Sequence, residues 1–135
     1  MDKEDGIAIL VEWLDRKGYF VDFDKKGDDS VDCSNKIVSI NNTRTKETQL
    51  YILLHECGHI LIDNNESVVK YKDVQERFAE RTAINKVFTV MEEAEAWTRG
   101  KILAKRLGIH IDEEKWNKDI TRALGKYIKW AAGVL

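Results

Sequence analysis

The sequence predicts an α+β domain in which a helix and a small sheet precede a series of longer helices. Three patterns support this prediction. Apolar residues recur at helical spacing near the N-terminus, short alternating segments follow between residues 19 and 42, and strong helix formers dominate from residue 46 onward. Elements segregated along the chain in this way favour an α+β domain over an alternating parallel sheet. Because the 135-residue chain contains no linker-like or repetitive segment, we expect one domain over residues 1–135.

The first 42 residues are predicted to form one helix and a small, mostly antiparallel sheet. The helix is expected over residues 3–17, with Gly18 as its stop, because four apolar residues follow the i, i+3, i+4, i+7 spacing: Ile7, Leu10, Val11 and Leu14. YFVDF (19–23) is typical of a strand and SVDCSNKIVSINN (30–42) of one or two strands, with KIVSI showing the clearest alternation. The KKGDDS segment (25–30) between them is typical of a turn.

A helix is next expected from about Lys46 to Asp63, because this segment is rich in apolar residues and helix formers. Thr45 or Thr48 is expected to act as its N-cap, since a threonine hydroxyl accepts a hydrogen bond from a free backbone N–H of the first turn. The polar segment DNNES (63–67) is expected to end it.

The rest of the chain is predicted to be helical. Residues 71–107 are expected to form a helix in two pieces, with a bend near Thr89 or Gly100 and a stop at Gly108. A last helix is expected over residues 112–132, with Asp112 as its N-cap. Its predicted apolar stripe consists of Trp116, Ile120, Leu124, Tyr127, Ile128 and Ala131.

Composition excludes several classes of protein. The formal net charge of -2 and a pI of about 5.9 argue against a general nucleic-acid-binding protein, which is usually basic. No apolar run approaches the roughly 18 residues that span a bilayer, and the acidic N-terminus does not have the pattern of a signal peptide. Cys33 and Cys57 form no disulfide framework or CxxC motif, so we expect a reducing, cytoplasmic location without membrane association.

The segment HECGH places His55 and His59 four residues apart on the predicted helix, one turn apart on the same face. Two imidazoles arranged in this way can bind one zinc ion, and a catalytic zinc site uses three protein ligands and keeps one position open. Glu56 lies beside the first histidine, where its carboxylate can take a proton from an attacking water. The pattern therefore predicts Zn²⁺ as cofactor and Glu56 as general base.

The residues around HECGH indicate that its helix is buried. Apolar triplets flank the motif, ILL (52–54) before it and ILI (60–62) after it. Buried histidines and a buried glutamate need partners, and a metal ion would satisfy them. Gly58 inside the motif has no side chain, so a strand or a substrate backbone is expected to approach the helix there.

The third protein ligand is expected to be a glutamate. The only other histidine, His110, follows a long predicted helix, and the residues after His59 do not form the HExxHxxGxxH pattern. The segment VMEEAEAW offers Glu92, Glu93 and Glu95 beside small alanines, which allow a second helix to pack closely. QERFAERTA offers a further pair, Glu76 and Glu80. Any single one of these glutamates is more often a solvated helix charge, but the VMEEAEAW cluster is expected to supply one ligand.

The run SINNTRTKETQLYILLHECGHILI, followed by the glutamate segment, resembles the zincin metallopeptidases and, more narrowly, the ImmA/IrrE family. It is also similar to small HExxH metallopeptidases encoded by phages and prophages. The resemblance covers about residues 36–108. It implies a zincin-like α+β fold with an N-terminal helix, a small sheet, the HExxH active-site helix and C-terminal helices. It also implies that the KIVSI strand is the sheet edge that holds an extended peptide.

The resemblance further implies that His55 and His59 are zinc ligands and that Glu56 is the general base. The third ligand of such families lies in an ExxA pattern, which matches Glu93 and Ala96 in this chain. A small polar residue usually follows that alanine. The tryptophan at position 97 departs from the pattern, and Glu95 and Glu92 therefore stay as alternatives to Glu93.

Three functions are compatible with these residues. The first is a zinc-dependent peptidase with a narrow protein or peptide substrate. The second is a non-proteolytic, zinc-binding interaction or regulatory module, which would need a fourth protein ligand and would not need Glu56. Cys57 is the nearest thiol that could be this fourth ligand, but its position on the helix is rotated away from both histidines. The third is nucleic-acid association through the basic, aromatic last two helices, although solvated helix faces explain those charges better. The intact HExxH motif favours the peptidase.

Overall fold

The computed structural model describes residues 2–24, 27–64 and 67–133. Within these segments the chain forms five helices and a three-stranded sheet, which confirms the α+β prediction. The predicted KKGDDS turn lies partly outside the described residues. In chain order the elements are α1 (Lys3–Arg16), β1 (Phe20–Asp22), β2 (Ser30–Asp32), β3 (Ile37–Ser39), α2 (Lys46–Asp63), α3 (Ser67–Arg77), α4 (Ala83–Leu107) and α5 (Glu113–Ala132).

The helix ends follow the capping residues of the sequence. Thr45, one of the two predicted candidates, is the N-cap of α2, and its hydroxyl accepts a hydrogen bond from the backbone N–H of Thr48 at 3.2 Å. Asp112 caps α5 as predicted. Gly108 ends α4 in the left-handed conformation, with a φ of 74°, which glycine adopts without the steric cost of a Cβ.

The sheet differs from the prediction in two ways. Its strand order is β1-β3-β2, with β1 parallel and β2 antiparallel to β3, so the sheet is mixed rather than mostly antiparallel. The KIVSI strand, β3, is therefore central and not an edge. Val38 lies between Val21 and Val31 in the ladder, and its side chain is fully buried. The alternation in the sequence predicted which residues share a face of the strand, but it contains no information about lateral order.

The predicted bend in the long C-terminal segment was placed wrongly. The chain leaves the helical conformation at residues 78–82, between α3 and α4, and not near Thr89 or Gly100. Thr82 is the N-cap of α4 and accepts a hydrogen bond from the backbone N–H of Asn85 at 3.3 Å. This capping threonine marks the real helix start, whereas Thr89 donates to the carbonyl of Asn85 within α4.

Helix α2 lies at the centre of the molecule and packs against α1, α3, α4, α5 and β2. Its closest approach is to α4. A Cβ on Gly58 would lie under 3.0 Å from the carbonyl oxygen of Ala96, and a Cβ on Gly100 would meet the carbonyl oxygen of Leu54 in the same way. The partner of Gly58 is thus the backbone of a second helix, rather than a strand or a substrate. Two glycines, one on each helix, allow this backbone contact.

Candidate metal centre

Helices α2 and α4 bring three ligand-type side chains together where they cross. The Nε2 atom of His55 lies 3.2 Å from Glu93 Oε1, and the Nε2 atom of His59 lies 2.8 Å from Glu93 Oε2. The two imidazole rings face each other edge to face, with their centroids 4.7 Å apart. One ligand atom from each residue lies within 4.8 Å of the others, which is close enough to hold a metal ion.

The burial of these side chains fits a metal ion. His55 and Glu93 are each 9% exposed, and the Nε2 atom of His55 is buried without a hydrogen-bond partner although Glu93 lies nearby. A buried polar atom without a partner is costly, and a cation between the three residues would satisfy it. Two imidazoles and one carboxylate are also a donor set of catalytic zinc.

The electrostatics of the metal-free cluster are those of an ion pair. Burial alone would raise the pKa of Glu93, but the close contacts with His55 and His59 outweigh it and hold this pKa at about 2. Burial would lower the pKa of His59, yet Glu92 and Glu93 raise it to about 10. The pKa of His55 is also raised, by Glu56 and Glu93 against the effect of burial. A metal would therefore replace protons at this cluster.

The alternative ligand candidates point elsewhere. Glu95 accepts hydrogen bonds from the hydroxyl of Tyr71 and from Arg99 Nε, each at 2.6 Å. Glu92 faces the Nδ1 edge of His59, at 3.7 Å, and not the Nε2 edge that Glu93 occupies. The remaining candidates do not belong to the cluster, and all three are exposed: Glu76, Glu80 and His110. The role of Glu93 as a ligand stays a prediction, and the position of its side chain agrees with this prediction.

Trp97, which departs from the family pattern, packs directly on the first histidine. Its ring is stacked on the His55 imidazole, with centroids 4.5 Å apart and planes 17° from parallel. Its other side meets Trp116 of α5 edge to face at 5.1 Å. Trp97 of α4 thus contacts both the His55 ring of α2 and Trp116 of α5. Stacking of this kind restricts the orientation of the imidazole.

A cleft of about 490 Å³ opens over the cluster. Its lining comes from β2 and the residues just before it, from α2 between Thr48 and His59, and from the middle of α5 between Asp119 and Tyr127. Glu56 lies at the base of the cleft, is 5% exposed, and has its Oε1 atom 3.3 Å from His55 Nδ1. The predicted general base therefore lies beside His55 and lines the same cleft as the three ligand-type side chains.

Tyr127 lines the same cleft as Glu56 and was not predicted as a site residue. The sequence placed it in the apolar stripe of α5, and one other member of that stripe, Ile128, is in fact exposed. Burial, together with the negative charges of Glu93 and Glu56, raises the pKa of Tyr127 to about 12. Its hydroxyl therefore keeps its proton at neutral pH and can act as a donor. Only the packing of α5 shows that Tyr127 lines the cleft. Helical spacing alone does not distinguish a face that packs in the core from a face that lines a cleft.

No protein-family model, curated protein or solved structure matches this chain. None of the described helices is both long and apolar enough to cross a membrane. Function is therefore inferred from the geometry of this cluster and its cleft.

Proposed function

We propose that the protein is a zinc-dependent peptidase of the zincin type, similar to the ImmA/IrrE family. The observation that supports this proposal is the convergence of His55, His59 and Glu93 on one point at the base of a cleft, with Glu56 beside them. A cluster of solvated helix charges would be exposed and unconnected. These side chains are instead buried and in contact across two helices.

Zinc is the metal that this donor set fits best. Imidazole ligands favour zinc and other transition metals over calcium or magnesium, which prefer oxygen ligands throughout. Among the described residues no fourth His, Cys, Asp or Glu joins the group, so three protein ligands would hold a zinc ion here. Three protein ligands are typical of catalytic zinc, whereas a purely structural zinc site usually has four. Cys57, the nearest thiol, is packed in the hydrophobic core.

The side chains around the cluster supply the remaining chemistry. A bound zinc ion would polarise a peptide carbonyl and make water more acidic. The Glu56 carboxylate accepts the proton of the attacking water and passes it to the leaving amine. The hydroxyl of Tyr127, which lines the same cleft, donates a hydrogen bond to the carbonyl oxygen as negative charge develops on it.

The substrate is proposed to bind as an extended peptide along β2. In the described part of the chain this strand is an edge strand that pairs with β3 on one side, and Ser30 and Val31 line the cleft. An extended segment can add to such an edge by main-chain hydrogen bonds. The peptide-binding role expected for KIVSI thus passes to β2, because β3 already has a neighbour on each side.

The proposal is tested by measuring zinc content and peptide cleavage together. Wild-type protein is expected to bind one equivalent of zinc and to cleave members of a proteome-derived peptide library, as read by mass spectrometry. Glu56→Gln is expected to keep zinc but to lower cleavage by about 10²–10⁴-fold, because the proton acceptor is lost. Glu76→Gln, on the exposed surface of α3, serves as the matched control and should behave as wild type.

Three outcomes would contradict the proposal in different ways. Wild-type protein that binds no zinc would remove the metal centre altogether. Zinc binding with cleavage that Glu56→Gln leaves unchanged would remove the mechanism. Zinc binding without any cleavage, or with a biological effect that does not need Glu56, would instead favour a non-proteolytic zinc-binding module.

A further inference from the structure

We propose that Glu92 is a positioning residue for the metal ligand His59, and that Gln75 of α3 holds Glu92 in place. The inference deepens the proposed function and rests on it, because it concerns how the chain orients its second histidine toward the metal. It also explains why two glutamates stand side by side in α4, although only one of them lies within the ligand group.

The two glutamates occupy opposite edges of the same imidazole ring. Glu93 Oε2 lies 2.8 Å from His59 Nε2, whereas Glu92 Oε1 lies 3.7 Å from His59 Nδ1. A metal ion held by His55, His59 and Glu93 would be bound by the Nε2 atom of His59, and the Nδ1 edge of the ring would remain on the side of Glu92. Glu92 therefore contacts the Nδ1 edge of the His59 ring and would not contact the ion.

The second oxygen of Glu92 is held by α3. The side-chain amide of Gln75 donates to Glu92 Oε2 at 3.1 Å, which leaves Oε1 directed toward His59. The end of α3 is in turn tied to α4, because the side-chain amide of Asn85 donates to the carbonyl oxygen of Phe78 at 3.0 Å. A chain of polar contacts thus runs from α3 through Glu92 to the histidine.

The first histidine also has a carboxylate at its Nδ1 edge, but one with a different role. The Nδ1 atom of His55 lies 3.3 Å from Glu56, which the proposed reaction uses as its proton acceptor. The His55 ring is in addition stacked on Trp97. Glu92 is thus the carboxylate at an Nδ1 edge that the proposed reaction does not use.

A carboxylate behind a metal-binding imidazole has two physical effects. It fixes the tautomer in which Nε2 carries the free lone pair, and it makes that nitrogen more basic. Removal of such a partner typically lowers metal affinity by about 10–100-fold. Glu92 should thus set how tightly zinc is held without contacting it.

The experiment compares zinc affinity, measured by competition with a chromophoric chelator, for the wild type and three variants. Glu92→Gln is expected to raise the zinc Kd by about 10–100-fold, because the charged acceptor at Nδ1 is lost. Gln75→Ala is expected to raise it less, in the same direction, from an exposed position that should not affect folding. Glu76→Gln, next to Gln75 on exposed α3, is the matched control and should leave the Kd unchanged.

The Co²⁺-substituted proteins provide a readout that a merely structural role would not change. The visible spectrum of Glu92→Gln should keep the intensity of the wild-type site, because all three ligands remain, and should shift in position. Wild-type affinity in Glu92→Gln would overturn the inference while leaving the metal centre intact. A loss of the spectrum as complete as in Glu93→Gln would also overturn it, because Glu92 would then be a ligand. Absence of zinc binding by the wild type would contradict the proposed function itself.

Discussion

The two halves of α4 pack in very different ways. The half that begins at Glu93 lies against α2, and its contact face is buried: Glu93, Ala96, Trp97, Gly100, Leu103 and Ala104. The half before it lies against α3 and leaves large apolar side chains exposed, among them Ile84, Val87 and Met91. In one half of α4 the backbone of the helix thus contacts the backbone of α2. The other half is only partly covered by α3.

The candidate metal centre lies where one kind of packing changes into the other. Glu93 belongs to the tightly packed half and contacts both histidines, whereas Glu92, one residue earlier, is held by a side chain of α3. Close-packed interiors resist displacement, so the tight half should place the ligand within a narrow range. The looser half can adjust without moving Glu93. Three experiments test this difference.

The largest effect is expected from Gly58→Ala. The added methyl group would overlap the carbonyl oxygen of Ala96, which belongs to the α4 backbone and cannot rotate away. We expect a loss of about 3 kcal/mol or more in the free energy of unfolding, together with weaker zinc binding, because α4 and Glu93 must move outward. Urea unfolding and zinc competition measure the two effects.

Gly125→Ala is the matched control, since it is the same substitution in a helix. A Cβ at Gly125 would have no heavy atom within 4 Å, so alanine should stabilise α5 by up to about 1 kcal/mol. Equal stability changes in the two variants would show that α2 and α4 are not in backbone contact.

A second effect is expected from pH in the metal-free protein. The pKa of His59 is raised to about 10, so its contribution to stability is fully present below the ordinary histidine pKa of about 6.5 and is lost as the pH rises toward 10. The pKa of Glu93 is lowered to about 2, so its contribution is present above its ordinary value and is lost as the pH falls toward 2. The metal-free protein is therefore expected to be most stable at weakly acidic pH. This lies above the pH range in which the Glu93 contribution is lost and below the range in which the His59 contribution is lost.

Urea unfolding of chelator-treated protein at about pH 6 and about pH 9 measures this change, with a lower midpoint expected at the higher pH. His59→Ala should reduce the difference between the two conditions, because the raised pKa is removed. If the unfolding midpoint of His59→Ala falls by the same amount between the two pH values, the pH dependence belongs to other groups. Zinc affinity of the wild type should rise over the same pH range, since protons compete for the histidines.

The smallest effect is expected in the loose half of α4. The Val87 side chain is 52% exposed, so Val87→Thr should change the free energy of unfolding by less than about 0.5 kcal/mol and should leave the zinc Kd unchanged. Urea unfolding and zinc competition again provide the measurements. A change as large as that of Gly58→Ala would show that the two halves of α4 do not differ in the way their packing indicates.

Local signals in the sequence predicted most of the helices. Thr45, Asp112 and Gly108 mark helix ends through hydrogen bonds and backbone preferences that need no tertiary partner. The start of α4 was missed although Thr82 is the same kind of signal, because the helix formers on both sides of it concealed the break. The mixed sheet was missed for a different reason. Lateral strand order depends on contacts between distant segments, which alternation does not encode.

The candidate site likewise has one part that local sequence signals predict and another part that depends on contacts between distant segments. The sequence alone is enough to place His55, Glu56 and His59 on one part of a buried helix, because helical geometry places residues four apart on one face. Which glutamate faces them depends on how the helices pack in three dimensions. Neighbouring positions on a helix point in directions about 100° apart, so the crossing of α2 and α4 at Gly58 selects Glu93 for the ligand group. The same crossing leaves Glu92 behind the ring of His59, and the packing of α5 brings Tyr127 to the cleft.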